Sequence, residues 1–436
     1  MKNILSRVAF LPFPRTIADA PGTLSWESIG SLQIYCPGND AVWIAGDRFI
    51  RGKACAVEAP IGEMPALIAR TGGRGADAMS MRWPVSDHPE AYRLQIDPRG
   101  VVITARTPVG LQHGWMTLRQ AIEDDGLRIS CGVIEDQPAI TWRLQHLDLK
   151  GVRPTPDYLM QLLDRFAAFK INGILLEIED YIRYDSHPSV AHPDALPKEF
   201  WRKFAARAQA LHIEVTPLLQ TWGHLQYILR KPAYRHLAET GKGMISEICP
   251  EHPETWALLR AMIDELCDVF PASRFFHVGQ DEVFHHGECP RCRKIERRLG
   301  VNRFFVRQIN RACGYVAGKG RIPVIWGDEL ARDLKPAEYK AVRNPVSVRC
   351  ATGVVKHHIV IVFAPGYGVD SEIGATCNFR RGLKVVPREA TWVDHLVSGK
   401  TVDKFDAEDR RLARRYVLSP GGEAVRPHVA RRCRPG

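Results

Sequence analysis

The chain of 436 residues lacks several features that would assign it to a class at once. No run of about 18 apolar residues is present, which argues against a membrane-spanning helix. The start, Met1–Arg7, lacks the long apolar stretch of a secretory signal, so we expect a cytoplasmic protein. The 11 cysteines are odd in number and spread from Cys36 to Cys433, which favours free thiols over a disulfide framework.

Positive charge is abundant, but it is not arranged as nucleic-acid binding would require. The net charge is +11, and residues 341–436 hold 17 lysines and arginines against 9 acidic residues. Basic residues of this region, such as Arg410, Arg411, Arg414 and Arg415, are scattered and not interleaved with aromatic side chains. This pattern is typical of a solvated basic surface, so we expect no nucleic-acid partner.

Residues 1–130 are predicted to form an N-terminal α+β domain. Tyr92–Ile96 alternates between apolar and polar residues, and a turn joins it to the apolar stretch Val101–Ala105, so a β-hairpin is expected. From Pro108 to Ile122 the apolar residues recur with helical spacing. This region contains no catalytic cluster.

Strands and helices alternate from Trp142 onwards. The predicted strands are Leu144–Leu149, Ile174–Glu179, Ile213–Leu219, Phe275–Val278 and Ile322–Trp326. The predicted helices are Pro156–Phe169, Phe200–Leu211, Trp256–Phe270 and Arg303–Val316. Because the strands are of the apolar, fully buried type, they indicate a parallel sheet built from βα units.

Polar residues follow the ends of these strands: Asp148, Glu179-Asp180, Gln220, Asp281-Glu282 and Asp328-Glu329. Strand ends form the active-site face of a (β/α)8 TIM barrel. An open doubly wound sheet would also bind ligands there, but no glycine-rich phosphate loop follows the first strand. We therefore predict an α/β fold with a (β/α)8 barrel, of which 140–340 is the recognisable part. Residues 341–436 are either later strands, with Val346–Arg349 and His358–Phe363 as candidates, or a divergent basic tail.

Asp281 and Glu282 are the most informative pair. Two adjacent carboxylates repel each other when both are ionised, so one tends to keep its proton near neutral pH. Acid-catalysed bond cleavage needs such a pair, although adjacent acids also suit a helix N-terminus. Trp222, Trp326 and Tyr181 lie near the strand ends in the sequence, and aromatic faces pack against sugar rings. Together these residues indicate a sugar site.

The segment His277–Val283 resembles the His-x-Gly-x-Asp-Glu signature of glycoside hydrolase family 20, the β-N-acetylhexosaminidases, and most closely the hexosaminidase D type. Four further segments match in the family's order: Arg143–Gly151, Ile178–Asp180, Leu219–His224 and Trp326–Asp328. The resemblance covers roughly residues 90–330. It implies a catalytic barrel preceded by a small α/β domain.

The family's mechanism is retaining and exo-acting, with the acetamido oxygen of the substrate as nucleophile. By resemblance, Glu282 would be the general acid and then the general base. Asp281 would accept a hydrogen bond from the acetamido N–H and stabilise the developing positive charge. The expected substrate is therefore a glycoside with a terminal N-acetylhexosamine.

The resemblance also implies residues that bind the sugar. Arg143 would bind hydroxyls of the terminal sugar, and Trp326 would line the acetamido pocket. An Asp180–His224 pair would support the general acid. Asp328 would bind a hydroxyl, or it would cap the following helix.

A separate cluster, His285, His286, Cys289 and Cys292, offers enough ligands for zinc. The sequence has no second Cys-x-x-Cys, and the family needs no metal for catalysis. We therefore predict no metal and no cofactor, and keep a zinc-dependent hydrolase as an alternative.

The match to the family ends near residue 340. The family's later tyrosine and tryptophans have only Tyr367 and Trp392 as counterparts, and neither lies in a clear motif. A non-catalytic sugar-binding relative with an incomplete site is therefore the second functional hypothesis. A two-carboxylate route through Glu177 or Glu179 is the mechanistic alternative.

Overall fold

A computed structural model describes residues 5–37, 40, 44, 47–62, 64–71, 81–125, 127–139, 141–240 and 245–326, and the backbone of 359–363. Asp328, Tyr367, Trp392 and the candidate strand Val346–Arg349 lie outside these residues. Within the described part of the chain, no helix is both long and apolar enough to cross a membrane.

The N-terminal region is a seven-stranded sheet with one long helix on it. Its strands are β1 Thr16–Ser25, β2 Ile29–Tyr35, β3 Ala54–Glu58, β4 Ala66–Thr71, β5 Tyr92–Asp97, β6 Gly100–Ala105 and β7 Arg128–Asp136, and its helix is α1 Pro108–Asp125. The strand order is β1-β7-β5-β6-β4-β2-β3, antiparallel except for β2 and β3. The predicted hairpin is β5–β6, and the predicted helix is α1, which buries Leu111, Trp115, Leu118 and Ile122. Both predictions are confirmed.

The second region alternates strands and helices as predicted. Its strands are β8 Trp142–Asp148, β9 Gly173–Glu177, β10 Glu214–Leu218, β11 Phe275–His277, β12 Ile322–Val324 and β13 Ile359–Phe363. Its α-helices are α2 Pro156–Ala168, α3 Lys198–Ala210, α4 Gln226–Leu229, α5 Thr255–Val269, α6 Pro290–Leu299 and α7 Val301–Gly318. Every strand pair is parallel, in the order β12-β11-β10-β9-β8-β13.

This strand order is that of a (β/α)8 barrel. From β8 to β12 each strand adds to the sheet on the same side, so right-handed crossovers place the connecting helices on one face. The strand β13, within the candidate His358–Phe363, pairs with β8, where the last strand of a barrel meets the first. The predicted fold class, a TIM barrel after a small α+β domain, is confirmed.

Local sequence explains where the helices begin and end. Thr155 caps α2 by accepting a hydrogen bond from the Tyr158 amide, and Pro156 occupies the first turn, where no amide donor is needed. Lys170 and His212 follow α2 and α3 with φ of 58° and 56°, the left-handed conformation that ends many helices. Each helix thereby turns directly into the next strand.

The N-terminal domain packs against the end of the barrel at which the strands begin. Lys170, just before β9, donates to Asp136 Oδ2 and to Tyr92 Oη, both at 2.9 Å. Gln112 of α1 donates to the Leu211 carbonyl, just before β10, at 3.0 Å. The carboxyl ends of the strands lie at the opposite end of the sheet and do not take part in these contacts.

Candidate active site

The register of the parallel strands brings their carboxyl ends together. Asp148 lies opposite Glu177, Glu177 opposite Leu218, Leu218 opposite His277, and His277 opposite Val324. The residues that follow each strand therefore share one edge of the sheet. This edge holds most of the polar residues that the sequence predicted for the site.

Glu177 lies at the centre of a buried network inside the barrel. Its Oε1 accepts hydrogen bonds from Lys150 Nζ at 3.0 Å and Gln220 Nε2 at 3.1 Å, and its Oε2 lies 3.1 Å from His146 Nε2. Burial alone would raise the pKa of Glu177, but the His146 hydrogen bond and the Lys150 charge outweigh burial and lower it. Glu177 therefore stays ionised.

Glu179 lies two residues further along the same strand end and behaves in the opposite way. Burial, reinforced by the neighbouring Glu177 carboxylate, raises the pKa of Glu179 to about 9. At neutral pH Glu179 is therefore protonated. One acid of this pair is charged and the other neutral because His146 and Lys150 both contact Glu177, whereas at Glu179 burial outweighs the effect of the Lys150 charge.

The pair Asp281-Glu282 meets a histidine from the neighbouring strand end. His224 Nε2 lies 3.3 Å from Asp281 Oδ2 and 3.1 Å from Glu282 Oε2. The hydrogen bond with Asp281 raises the pKa of His224, and burial only partly offsets this effect. One imidazole thus bridges both carboxylates and becomes cationic more readily than a free histidine.

The two carboxylates differ in exposure and in partners. The side chain of Glu282 is 46% exposed, whereas Asp281 Oδ1 is buried and has no hydrogen-bond partner among the described residues. Leaving a buried acceptor without a donor costs free energy, so such a group in a native protein usually has a specific role, such as binding a ligand. The geometry leaves Glu282 open to an incoming molecule and Asp281 with one unused oxygen beside it.

The alternative interpretation of Asp281-Glu282 as a helix N-terminus is wrong. Residues 278–289 form no helix, and α6 begins only at Pro290. Instead, Gln280 and Glu282 have φ of 78° and 47°, a conformation that is strained for residues with a Cβ. Such strained residues concentrate at functional sites.

Gly279 makes the close approach of two strand ends possible. Its φ is 71°, and a Cβ placed there would lie 1.7 Å from Gln220 Oε1. The Gly279 carbonyl accepts from the Trp326 amide at 3.0 Å, which ties this turn to the end of β12. A glycine is therefore required between His277 and the acid pair.

Trp326 lies two residues after β12, at the carboxyl end of the sheet. Its ring is 4.6 Å from that of His277 and 5.5 Å from that of His146. Burial lowers the pKa of His277 to about 3, so this histidine is neutral. The rings of Trp326, His277 and His146 therefore form an aromatic surface beside the carboxylates.

Arg143 is not brought to this site. Its guanidinium pairs with Glu90 of the N-terminal domain and donates to the Lys170 carbonyl at 2.7 Å, where the strands begin. Side chains alternate along β8, so Arg143 points to the face opposite His146, which faces Glu177. In this structure Arg143 joins the two domains.

The expected Asp180–His224 pair is also arranged differently. The Asp180 carboxylate pairs with Arg153, while His224 contacts Asp281 and Glu282. Two aromatic residues expected near the sugar are core residues: Trp222 is 1% exposed and packs on Phe304 and Phe305, and Tyr181 is 3% exposed. His224 is therefore held near the acid pair by its direct contacts with Asp281 and Glu282, and not by the expected pairing with Asp180.

The predicted zinc ligands divide into two groups. His285 pairs with Glu288 at 2.7 Å and His286 with Glu296 at 2.6 Å, so neither histidine joins the two cysteines. Cys289 and Cys292 meet Cys249 and Glu239 instead. The ligand set of the alternative zinc hydrolase is therefore not assembled.

Barrel enzymes carry their catalytic groups at the carboxyl ends of the strands, where this chain has its carboxylates. Residues 141–366 match glycosyl hydrolase family 20, catalytic domain, and residues 9–137 match glycosyl hydrolase family 20, domain 2. The chain belongs to glycoside hydrolase family 20. The resemblance predicted from the sequence motifs is confirmed. The prediction that the match ends near residue 340 is wrong, because the catalytic-domain match extends to residue 366.

Individual relatives share part of this sequence or its fold. Hexosaminidase D of Bos taurus is 39% identical over 209 residues, which cover 47% of this chain and 60% of that protein. The chitobiase of Flavobacterium johnsoniae has a similar structure, with a TM-score of 0.64 and 18% identity over 93% of this chain and 64% of that one. The Vibrio harveyi exo-β-N-acetylglucosaminidase, solved in complex with N-acetylglucosamine, gives a TM-score of 0.61 and 17% identity over 78% and 58% of the two chains.

Proposed function

We propose that this chain is a retaining exo-β-N-acetylhexosaminidase that acts by substrate-assisted catalysis. The observation that carries the proposal is the trio of His224, Asp281 and Glu282, in which one carboxylate is open and the other keeps a buried oxygen without a donor. Membership of family 20 supports it, as does the N-acetylglucosamine bound by the Vibrio harveyi relative. The proposed substrate is a β-glycoside with a terminal N-acetylhexosamine.

Glu282 is the proposed general acid and base. Its side chain is nearly half exposed, so a glycosidic oxygen can approach it. In the first step its proton passes to the leaving oxygen as the bond from that oxygen to the anomeric carbon breaks. In the second step Glu282 takes a proton from the water that attacks the same carbon, and the bond from that carbon to the acetamido oxygen breaks. Glu282 is then protonated again, and a new cycle begins.

Asp281 is the proposed partner of the substrate's acetamido group. Its Oδ1 would accept the acetamido N–H, which satisfies the buried oxygen and orients the acetamido carbonyl toward the anomeric carbon. That carbonyl oxygen forms the new bond and gives an oxazolinium ion. The positive charge then lies close to the Asp281 carboxylate, which stabilises it.

His224 and Trp326 are proposed to position these groups. His224 contacts both carboxylates and holds Glu282 near Asp281. Trp326 lines the acetamido pocket in this proposal, packed on His277. Asp328 stays a prediction because it lies outside the described residues.

The experiment is hydrolysis of a nitrophenyl N-acetyl-β-glucosaminide by the purified chain, with and without a thiazoline that mimics the oxazolinium ion. We expect turnover, strong inhibition by the thiazoline, and a large loss in Asp281→Asn but not in the control Asp268→Asn on α5. Turnover that the thiazoline leaves unchanged would contradict the acetamido mechanism and favour the route through Glu177 or Glu179. Binding of N-acetylglucosamine without any turnover would identify a non-catalytic sugar-binding protein.

A further inference from the structure

Three sulfur atoms and one carboxylate converge behind the loops of the candidate active site. Cys249 Sγ lies 3.3 Å from Cys289 Sγ and 3.5 Å from Cys292 Sγ. An oxygen of Glu239 joins them, and all four atoms lie within 4.8 Å of one another. Cys249, Cys292 and Glu239 are each no more than 3% exposed. We call these four residues the Cys3Glu cluster.

The spacing of the sulfurs agrees better with a shared ion than with a disulfide. Tetrahedral zinc with bonds of about 2.3 Å to sulfur holds neighbouring sulfurs about 3.8 Å apart. A disulfide requires about 2.05 Å between two sulfurs, and it would leave the third thiol unused. Cys249 is almost equally close to both of its neighbours, so neither pairing is preferred by distance.

Glu239 supplies a second, independent observation. Its Oε1 accepts hydrogen bonds from the Glu288 amide at 2.8 Å and the Cys289 amide at 3.0 Å, which fixes the carboxylate against the cysteines. Its Oε2 is buried and has no hydrogen-bond partner among the described residues. A carboxylate fixed on one side and unsatisfied on the other is suited to ligate a cation.

The start of α6 helps to offset the negative charge of four such ligands. Cys289 is the N-cap of α6, and its Sγ accepts from the Cys292 amide at 3.3 Å. A helix N-terminus carries partial positive charge, and Arg291 and Arg293 lie in the first turn of the same helix. Cys-x-x-Cys at a helix start is also the usual spacing of a zinc knuckle.

We propose that Cys249, Cys289, Cys292 and Glu239 form a structural zinc site. Four protein ligands close the coordination sphere, which is the arrangement of structural rather than catalytic zinc. Thiolates select zinc over magnesium or calcium. The site replaces the His285–His286 set of the sequence hypothesis, and it stands whether or not the proposed hydrolase activity holds.

The position of the site indicates what the zinc does. Cys249 follows Ile248, whose amide donates to the Trp222 carbonyl at 2.9 Å, two residues before His224. Cys289 and Cys292 follow the segment that carries Asp281 and Glu282, and Val283 packs in the same small apolar cluster as Trp222, Cys249 and Cys292. The zinc therefore connects the loop of His224 with the loop of the acid pair.

The experiment is metal analysis of the full chain purified without chelators, together with X-ray absorption at the zinc edge. We expect about one zinc per chain with three sulfur neighbours and one oxygen neighbour. Cys249→Ser and Glu239→Gln should each lower the zinc content severalfold. The control Cys313→Ser, a buried cysteine of α7, and the double variant His285→Ala with His286→Ala should keep it.

Three results would overturn the proposal. One is a folded wild-type chain that takes up no zinc from buffer containing it, and another is a zinc shell with nitrogen neighbours that the double histidine variant removes. A disulfide between Cys249 and either partner, found by mass spectrometry of freshly isolated unreduced protein, would also refute it. The zinc content of Glu282→Gln should equal that of the wild type, which separates this test from the test of activity.

Discussion

Replacing Gly279 with alanine tests the packing that holds the acid pair. The added Cβ would lie 1.7 Å from Gln220 Oε1, so the Gln220 side chain must move and lose its hydrogen bond to the Glu177 carboxylate. The left-handed backbone costs alanine about 1 to 2 kcal/mol. The lost hydrogen bond to a charged group costs a further 1.5 to 3 kcal/mol, roughly. We therefore expect Gly279→Ala to lower the free energy of unfolding by about 2.5 to 5 kcal/mol.

Gly320 offers a matched control. Its φ is 74°, close to that of Gly279, and a Cβ there would meet nothing within 4 Å. Gly320→Ala should therefore lose only about 1 to 2 kcal/mol in urea unfolding. In a Gln220→Ala background most of the extra cost of Gly279→Ala should disappear. Equal losses for Gly279→Ala and Gly320→Ala would refute the argument, because the clash with Gln220 would then contribute nothing.

Three further predictions concern charge. Glu179 keeps its proton in the folded state to about pH 9 but loses it near its ordinary pKa when unfolded, so its burial destabilises the fold increasingly as pH rises from 4.5 to 9. Glu179→Gln should therefore stabilise the protein in urea unfolding by about 3 kcal/mol at pH 7 and hardly at all at pH 4. An equal gain at both pH values would contradict the raised pKa of Glu179. Lys170→Met removes the cationic partner of the buried Asp136 carboxylate and should destabilise by about 3 to 5 kcal/mol, whereas Lys203→Met on α3 should change little. Because the pKa of His224 is raised in the folded state, its protonation stabilises the fold below pH 6.5, and this contribution is lost as pH rises through the folded-state pKa. His224→Ala should therefore remove this pH-dependent step from a plot of the free energy of unfolding against pH.

The fold was largely predictable because its signals are local. The barrel strands β9 to β12 are short, mostly apolar runs, and α2, α3, α5 and α7 have apolar residues at helical spacing. Two strands of the N-terminal sheet carry no such signal: β3 is exposed throughout and β1 almost throughout. Helix α6 buries only Cys292, so its sequence shows no apolar face.

The site was predictable only where a motif fixed the backbone. Asp281, Glu282, His224 and Trp326 all follow strands whose register brings them to one edge. Arg143 was expected at the same edge, but it lies elsewhere because its ion-pair partner, Glu90, belongs to the other domain. The expected pairing of Asp180 with His224 could not be corrected from the sequence either, because the actual partner, Arg153, lies 27 residues away along the chain.

The same limit explains why the Cys3Glu cluster was missed. Cys249 precedes Cys289 by 40 residues, and Glu239 precedes it by 50. No spacing rule connects a lone cysteine and a glutamate to a Cys-x-x-Cys motif at such distances. The adjacent histidines were a more obvious choice from sequence, but their own acidic neighbours, Glu288 and Glu296, hold them elsewhere.

The most direct test of the central claim compares two leaving groups in Glu282→Gln. A nitrophenyl glycoside has a good leaving group that needs little protonation, whereas an alkyl glycoside or a disaccharide has an alcohol leaving group that depends much more on an acid. If Glu282 is the general acid, Glu282→Gln should lower kcat by about 10²- to 10⁴-fold on the poorer leaving group and by clearly less on the better one. The control Glu288→Gln should keep near wild-type rates on both. A folded Glu282→Gln protein that hydrolyses both substrates at the wild-type rate would contradict the account.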